Sequence, residues 1–144
     1  MNKLFHYFLC PSSRFIRILL NEKKVEYDLF IENFYDPSED YLFKNPGGFF
    51  PVLNTSFNEN IVGSLVIVEY LQNLMLPPKL MIKKNEYEIR RLLFWFETNF
   101  KNEVIIPLLK EKILKRFEKN SVPSSHVIRT ARSNLKYHMQ YFDF

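Results

Sequence analysis

The chain has 144 residues, 47% of them hydrophobic, and 20 Lys and Arg against 16 Asp and Glu give a net charge of +4. This is the make-up of a globular chain of one compact domain, or of one small domain plus a piece, with no basic patch to suggest a nucleic-acid partner. A single cysteine excludes an internal disulfide framework and fits a reducing compartment, and no apolar run of about 18 residues exists to span a membrane. The N-terminal stretch carries Arg14 and Arg17 and has no signal-peptide pattern, so the expected location is the cytoplasm.

In chain order, Leu4, Phe5, Tyr7, Phe8 and Leu9 form a short apolar run that reads as a strand. From Ser12 to Glu22, Phe15, Ile16, Leu19 and Leu20 recur at helical spacing, with Pro11 in the preceding turn and Ser12 as the cap. Cys10 falls just before that start. There the helix dipole and the unpaired backbone N–H groups favour thiolate over thiol. The plainer role for Cys10 is a small buried hydrophobe. Arg14 and Arg17 lie early in the helix, where they either support an anionic ligand or form a solvated face. Val25, Tyr27, Leu29 and Ile31 alternate with polar residues as a second strand, and Asp36-Pro37-Ser38-Glu39 opens a short helix with proline at its first position. Pro51–Asn54 and Asn60–Val62 read as two strands joined by a polar turn, and Ser64 caps a helix ending near Asn73. The order is β-α-β-α-β-β-α. Leu76-Pro77-Pro78-Lys79 breaks the pattern as a linker.

The remainder is helical. Leu92, Leu93, Trp95, Phe96, Phe100, Val104, Ile105 and Leu108 keep helical spacing within residues 87–119, and Pro107 is expected to kink or split that run. After a loop at residues 121–125, His126–Phe142 reads as a last helix. His6, His126 and His138 are scattered without ligand spacing, so no metal site is expected.

Three segments carry a family resemblance. Leu9-Cys10-Pro11-Ser12-Ser13-Arg14 with Ile16-Arg17-Ile18-Leu19-Leu20 resembles the first loop and helix of the glutathione S-transferases. Asn45-Pro46-Gly47-Gly48-Phe49-Phe50-Pro51-Val52-Leu53 resembles that family's N-P-x-G-x-V-P-x-L pattern. Ser64-Leu65-Val66-Ile67-Val68-Glu69-Tyr70-Leu71 resembles its S-x-A-I-x-x-Y-L pattern. The resemblance implies an α/β thioredoxin-like glutathione-binding domain over residues 1–75, a linker at 76–81 and an incomplete all-α domain over 82–144. It also implies a dimer.

For the site, the resemblance implies Cys10 as catalytic thiol and Ser12, Phe50, Pro51, Gly63 and Ser64 as glutathione-binding positions. A cis Phe50-Pro51 bond would turn the main chain of Phe50 toward the cysteinyl part of glutathione. Ser64 and the N–H groups around it would hold a carboxylate. Ser12 would donate to the thiolate, or simply serve the helix start. Tyr7, which some branches of the family use, reads as core here. The departure is Gly63, where the family usually places an acidic residue on the γ-glutamyl ammonium. Losing that charged hydrogen bond costs ~1.5–3 kcal/mol.

The expected function is glutathione binding with transfer of its thiol to a small electrophile. A second reading is a glutaredoxin-like monothiol reductase using Cys10, with Ser13 standing where a dithiol protein has its second cysteine. A third is an inactive truncated relic, or a protein-interaction module using apolar helix faces that the two C-terminal helices leave bare.

Overall fold

The structure, a computed structural model, describes residues 1–34, 36–79, 83–118 and 121–143. It divides into two compact units, Met1–Glu86 and Tyr87–Phe144. Of the expected linker, residues 80 and 81 lie outside the described residues, as does Lys119 of the expected long helix.

In the first unit, β1 (Asn2–His6), α1 (Pro11–Glu22), β2 (Tyr27–Ile31), α2 (Glu39–Lys44), β3 (Val52–Asn54), β4 (Asn60–Val62) and α3 (Ser64–Asn73) follow the expected order. The sheet order is β2-β1-β3-β4. β1 runs parallel to β2, with Leu4 opposite Leu29, and antiparallel to β3, with Leu4 opposite Leu53. β4 closes a hairpin on β3. This is the topology of a thioredoxin-like domain.

Alternation along β1 divides the core in two. Phe5 and Tyr7 pack with Tyr41 of α2, Cys10, Phe50, Val52 and Val62. Leu4 and His6 are buried on the other face, where α1 contributes Ile16, Leu19 and Leu20 and α3 contributes Ile67, Val68 and Leu71. β2 is less buried than its alternation suggests, because it is an edge strand: Leu29, Phe30 and Ile31 are all exposed.

Three helix starts differ from expectation. The α1 cap is Cys10, not Ser12. Pro11 is the first helical residue, where its missing N–H costs nothing, and Ser12 is already inside and fully buried. α2 begins at Glu39 instead of at Pro37, because Ser38 takes the cap and its hydroxyl accepts from the Tyr41 N–H (3.2 Å). Glu32 fixes that cap by accepting from the Ser38 N–H (2.7 Å). The α3 cap is Gly63, with Ser64 the first helical residue. α1 ends with Lys24 in the left-handed region (φ 53), where the Val25 N–H bonds back to Leu20 O (3.0 Å). Buried Lys23 then donates to Leu76 O (2.7 Å), joining the C-terminal ends of α1 and α3.

His6 is 1% exposed and neither ring nitrogen has a hydrogen-bond partner among the described residues. Burial, and then the charge of Arg17, push its pKa below the ordinary imidazole value. The unfolded chain therefore binds the proton more readily. The His6 contribution is intact above about pH 6.5, the unfolded value, and is lost as pH falls below it. Urea unfolding at a series of pH values is expected to show this loss. His6→Leu, which removes the polar ring, should flatten it. An unchanged pH profile in His6→Leu would contradict the assignment.

In the second unit, α4 (Glu86–Trp95) runs into a π-helical segment (Phe96–Ile105), then α5 (Ile106–Lys112), and α6 (Ser125–Phe142) packs against both of the latter. Pro107 splits the run as expected. It has no N–H to offer residue 103 and its ring crowds that carbonyl. The Glu103 carbonyl is instead taken by Asn134 Nδ2 of α6 (3.3 Å). α6 starts one residue earlier than expected, because Ser124 caps it by accepting from the Val127 N–H. Buried Glu111 accepts from the Ser124 N–H (2.6 Å) and pairs with Lys115 (2.8 Å), and Lys115 first, then Ser124, holds its carboxyl below the usual range. Tyr87, Phe94, Tyr137 and Met139 are exposed.

Candidate functional site

The turn after β1 delivers Cys10 to the head of α1. The Cys10 N–H donates to Tyr7 O (3.1 Å), and Cys10 O accepts from the Arg14 N–H (3.1 Å), the first bond of the helix. The backbone at Cys10 is extended (φ −87°, ψ 113°), and its side chain makes no capping bond. The thiol packs instead against Tyr41, Phe50 and Val52 and is 6% exposed. Burial at this level is what the plainer reading of Cys10 expects, so its place at the helix head has to carry the functional one. Ser13 is buried, and its hydroxyl accepts weakly from the Tyr7 N–H (3.5 Å). Arg14 is exposed; Arg17 is half-buried, with an Nε that has no partner among the described residues.

The loop before β3 is held from below. The Phe49 carbonyl accepts from the Tyr41 hydroxyl (2.6 Å) and from Asn45 Nδ2 (2.7 Å). Phe50 stacks on Tyr41 at 4.9 Å and meets Phe34 at 5.7 Å, and Phe34 stacks on Tyr7 at 6.1 Å. The Phe50-Pro51 bond is cis. Tyr7 therefore belongs to the aromatic packing, as expected. Burial, its largest cause, raises the Tyr41 pKa well above the ordinary phenol value, so the hydroxyl stays a donor. Sequence reasoning gave Tyr41 and Asn45 no role. The signal for Asn45 was its place opening the Asn-Pro-Gly-Gly run; Tyr41 had none beyond helical spacing.

Pro51 O accepts from the Gly63 N–H (2.9 Å), which ties the loop to the start of α3. Gly63 has φ 87°, a conformation that only glycine adopts without strain, and its carbonyl starts α3 by accepting from Ile67 N (3.0 Å). Ser64 is buried behind it. Cys10 and Phe50 thus share one cluster, and Pro51, Gly63 and Ser64 follow along a single hydrogen-bonded connection. Ser12 is fully buried in α1. Among the described residues no group of three or more His, Cys, Asp or Glu is placed to hold a metal ion. Among them, too, no helix is long and apolar enough to cross a membrane.

A cysteine at the head of α1, a cis-proline loop before β3 and a helix starting beside that loop define a thioredoxin-like domain. The comparisons narrow this. The model of the glutathione S-transferase N-terminal domain matches residues 4–78. The chain belongs to the glutathione S-transferase family. It is 32% identical over 145 residues to FtsZ-localized protein A of Caulobacter vibrioides, covering 97% of this chain and 64% of that protein. It is 29% identical over 122 residues to glutathione S-transferase omega-1 of Sus scrofa, covering 76% of this chain and 50% of that protein. Its structure matches that of a glutathione S-transferase from Rhodospirillum rubrum F11 with a TM-score of 0.89 and 36% identity, over 98% of this chain and 64% of the other. The chain thus spans half to two thirds of the length of these relatives.

Proposed function

We propose that the protein binds glutathione along the edge formed by the Phe49–Val52 loop and the start of α3, and transfers its thiol to a small electrophile. The observation that supports this best is the Gly63 N–H to Pro51 O bond, which sets the first turn of α3 beside the loop that packs on Cys10. The N-terminal end of α3, where the helix dipole is positive, suits a carboxylate of the tripeptide. The main chain of Phe50 suits its cysteinyl unit by strand-like pairing. Cys10 stands where the ligand's sulfur would lie. There it steers a glutathione thiolate toward the electrophilic carbon, whose leaving group departs as the new C–S bond forms. If the substrate is instead a glutathionylated thiol, Cys10 attacks the glutathionyl sulfur and expels the substrate thiol. A second glutathione thiolate then attacks the Cys10 mixed disulfide, releasing glutathione disulfide. A homodimer and a cytoplasmic location belong to the same proposal.

Cys10→Ser separates these chemistries. It should abolish deglutathionylation of a glutathionylated peptide while leaving the circular-dichroism spectrum intact. Retained deglutathionylation would move the chemistry to Tyr7 or a serine.

A second reading has its own support. The similarity to FtsZ-localized protein A runs over nearly the whole chain, and Gly63 lacks the carboxylate expected to hold the ligand's ammonium. On this reading the fold is a protein-binding module whose partner is an FtsZ-like polymer. Co-sedimentation with FtsZ filaments tests it.

A further inference from the structure

The second unit contains a part-buried hydrogen-bonded chain that the proposed glutathione chemistry does not use. Trp95 Nε1 of α4 lies 2.9 Å from His138 Nδ1 of α6, and His138 Nε2 lies 3.1 Å from Glu103 Oε2 of the π-helical segment. His138 is 0% exposed, while the Glu103 side chain is 46% exposed. An indole N–H is only a donor, so His138 Nδ1 has to accept. A neutral ring then carries its proton on Nε2, where it donates to the Glu103 carboxylate. Both ring nitrogens are satisfied in one tautomer alone.

A second proton has no place in this arrangement. It would sit on Nδ1, facing the indole N–H at donor-to-donor distance with no acceptor between them. Glu103 still balances the charge on the other side, so protonation is compensated at Nε2 and opposed at Nδ1. The rings around His138 resist any small adjustment. Phe100 meets it edge-on at 5.3 Å, and Trp95 is stacked on Tyr141 at 4.4 Å. Several charged groups on the elements packed against α6 have partners of their own. Arg91 of α4 lies over the Tyr141 ring, Lys101 of the π-helical segment pairs with Glu97, and Glu111 of α5 is held by Lys115 and Ser124. Tyr137, beside His138 on α6, is exposed.

We propose that Trp95, His138 and Glu103 form a proton-sensitive latch. With His138 neutral, the latch ties α6 to α4 and the π-helical segment. With His138 protonated, the Trp95 bond is lost and the indole is released. The latch does not depend on glutathione binding.

Trp95 is the one tryptophan of the chain, so its emission reads the latch directly. In the full chain, lowering the pH from about 8 to about 5 should give a reversible one-proton step in tryptophan emission. His138→Gln supplies an amide oxygen to accept from Trp95 and an amide N–H to donate to Glu103. It should fold and lose the step, whereas His6→Leu and His126→Gln should keep it. A step that persists in His138→Gln, or a flat wild-type profile, would overturn the proposal. Imidazole nitrogen shifts of the wild-type chain give a test that needs no variant. At the alkaline end they should show His138 protonated on Nε2, and a proton on Nδ1 would overturn the latch.

Discussion

Replacing Tyr41 by alanine should cost about 3–5 kcal/mol of folding stability, as truncating a fully buried aromatic ring does. Tyr41 is 1% exposed and makes two kinds of contact. Its ring stacks on Phe50 and lies 5.9 Å from Phe5 of β1, so truncation opens a cavity between α2 and the sheet. Its hydroxyl is also one of two donors on the Phe49 carbonyl, and Asn45 alone would remain. Tyr41→Phe isolates the second effect. Because Asn45 still satisfies that carbonyl, the loss should be ~0.5–1.5 kcal/mol. Urea unfolding of both variants checks the pair. A Tyr41→Ala protein within about 1 kcal/mol of the parent would show that the ring is not the support of the Phe49–Val52 loop.

Gly63→Glu should move stability and affinity in opposite directions. A side chain at φ 87°, ψ 147°, beside the essentially glycine-only region, costs roughly 1–3 kcal/mol in backbone strain. A Cβ there meets nothing within 4 Å, so no steric penalty is added. The new carboxylate should gain up to ~1.5–3 kcal/mol against the γ-glutamyl ammonium, roughly a ten- to hundred-fold tighter complex. Gly63→Ala is the control, with the same backbone and no carboxylate. It should lose the stability and leave the affinity unchanged. Equal affinities for the Glu and Ala variants would mean that the ammonium does not lie at this position.

The sequence made the first unit legible because local signals and tertiary demands agree there. The apolar runs of β1 and β3, the helical stripe of α1 and the turn chemistry of Asn45–Gly48 each point to one conformation. Prolines were less plain. Pro11 read as part of the turn before α1 and Pro37 as the first residue of α2, and the structure reverses the two: Cys10 takes the α1 cap, which puts Pro11 in the first turn, while Ser38 and Glu32 build a cap after Pro37. β2 read as a half-buried strand because alternation cannot tell an edge from an interior position. The π-helical segment was invisible for a related reason. A wide turn leaves the apolar spacing nearly helical, and only Pro107 marks where the ladder has to change.

At the candidate site, Cys10 was legible from the switch between strand and helix patterns, and the resemblance supported both it and the cis Phe50-Pro51 bond. Their support by Tyr41 and Asn45 was missed, because it is made by residues brought together across the loop. His138 looked isolated for the same reason: Trp95 and Glu103 lie 43 and 35 residues away in the chain.

Calorimetric titration of glutathione into the purified full chain tests the central claim most directly. The account predicts a saturable single-site heat that Ser64→Ala weakens roughly ten- to hundred-fold, the loss of one hydrogen bond to a charged group. No heat up to millimolar glutathione, from a protein that co-sediments with FtsZ filaments, would contradict it.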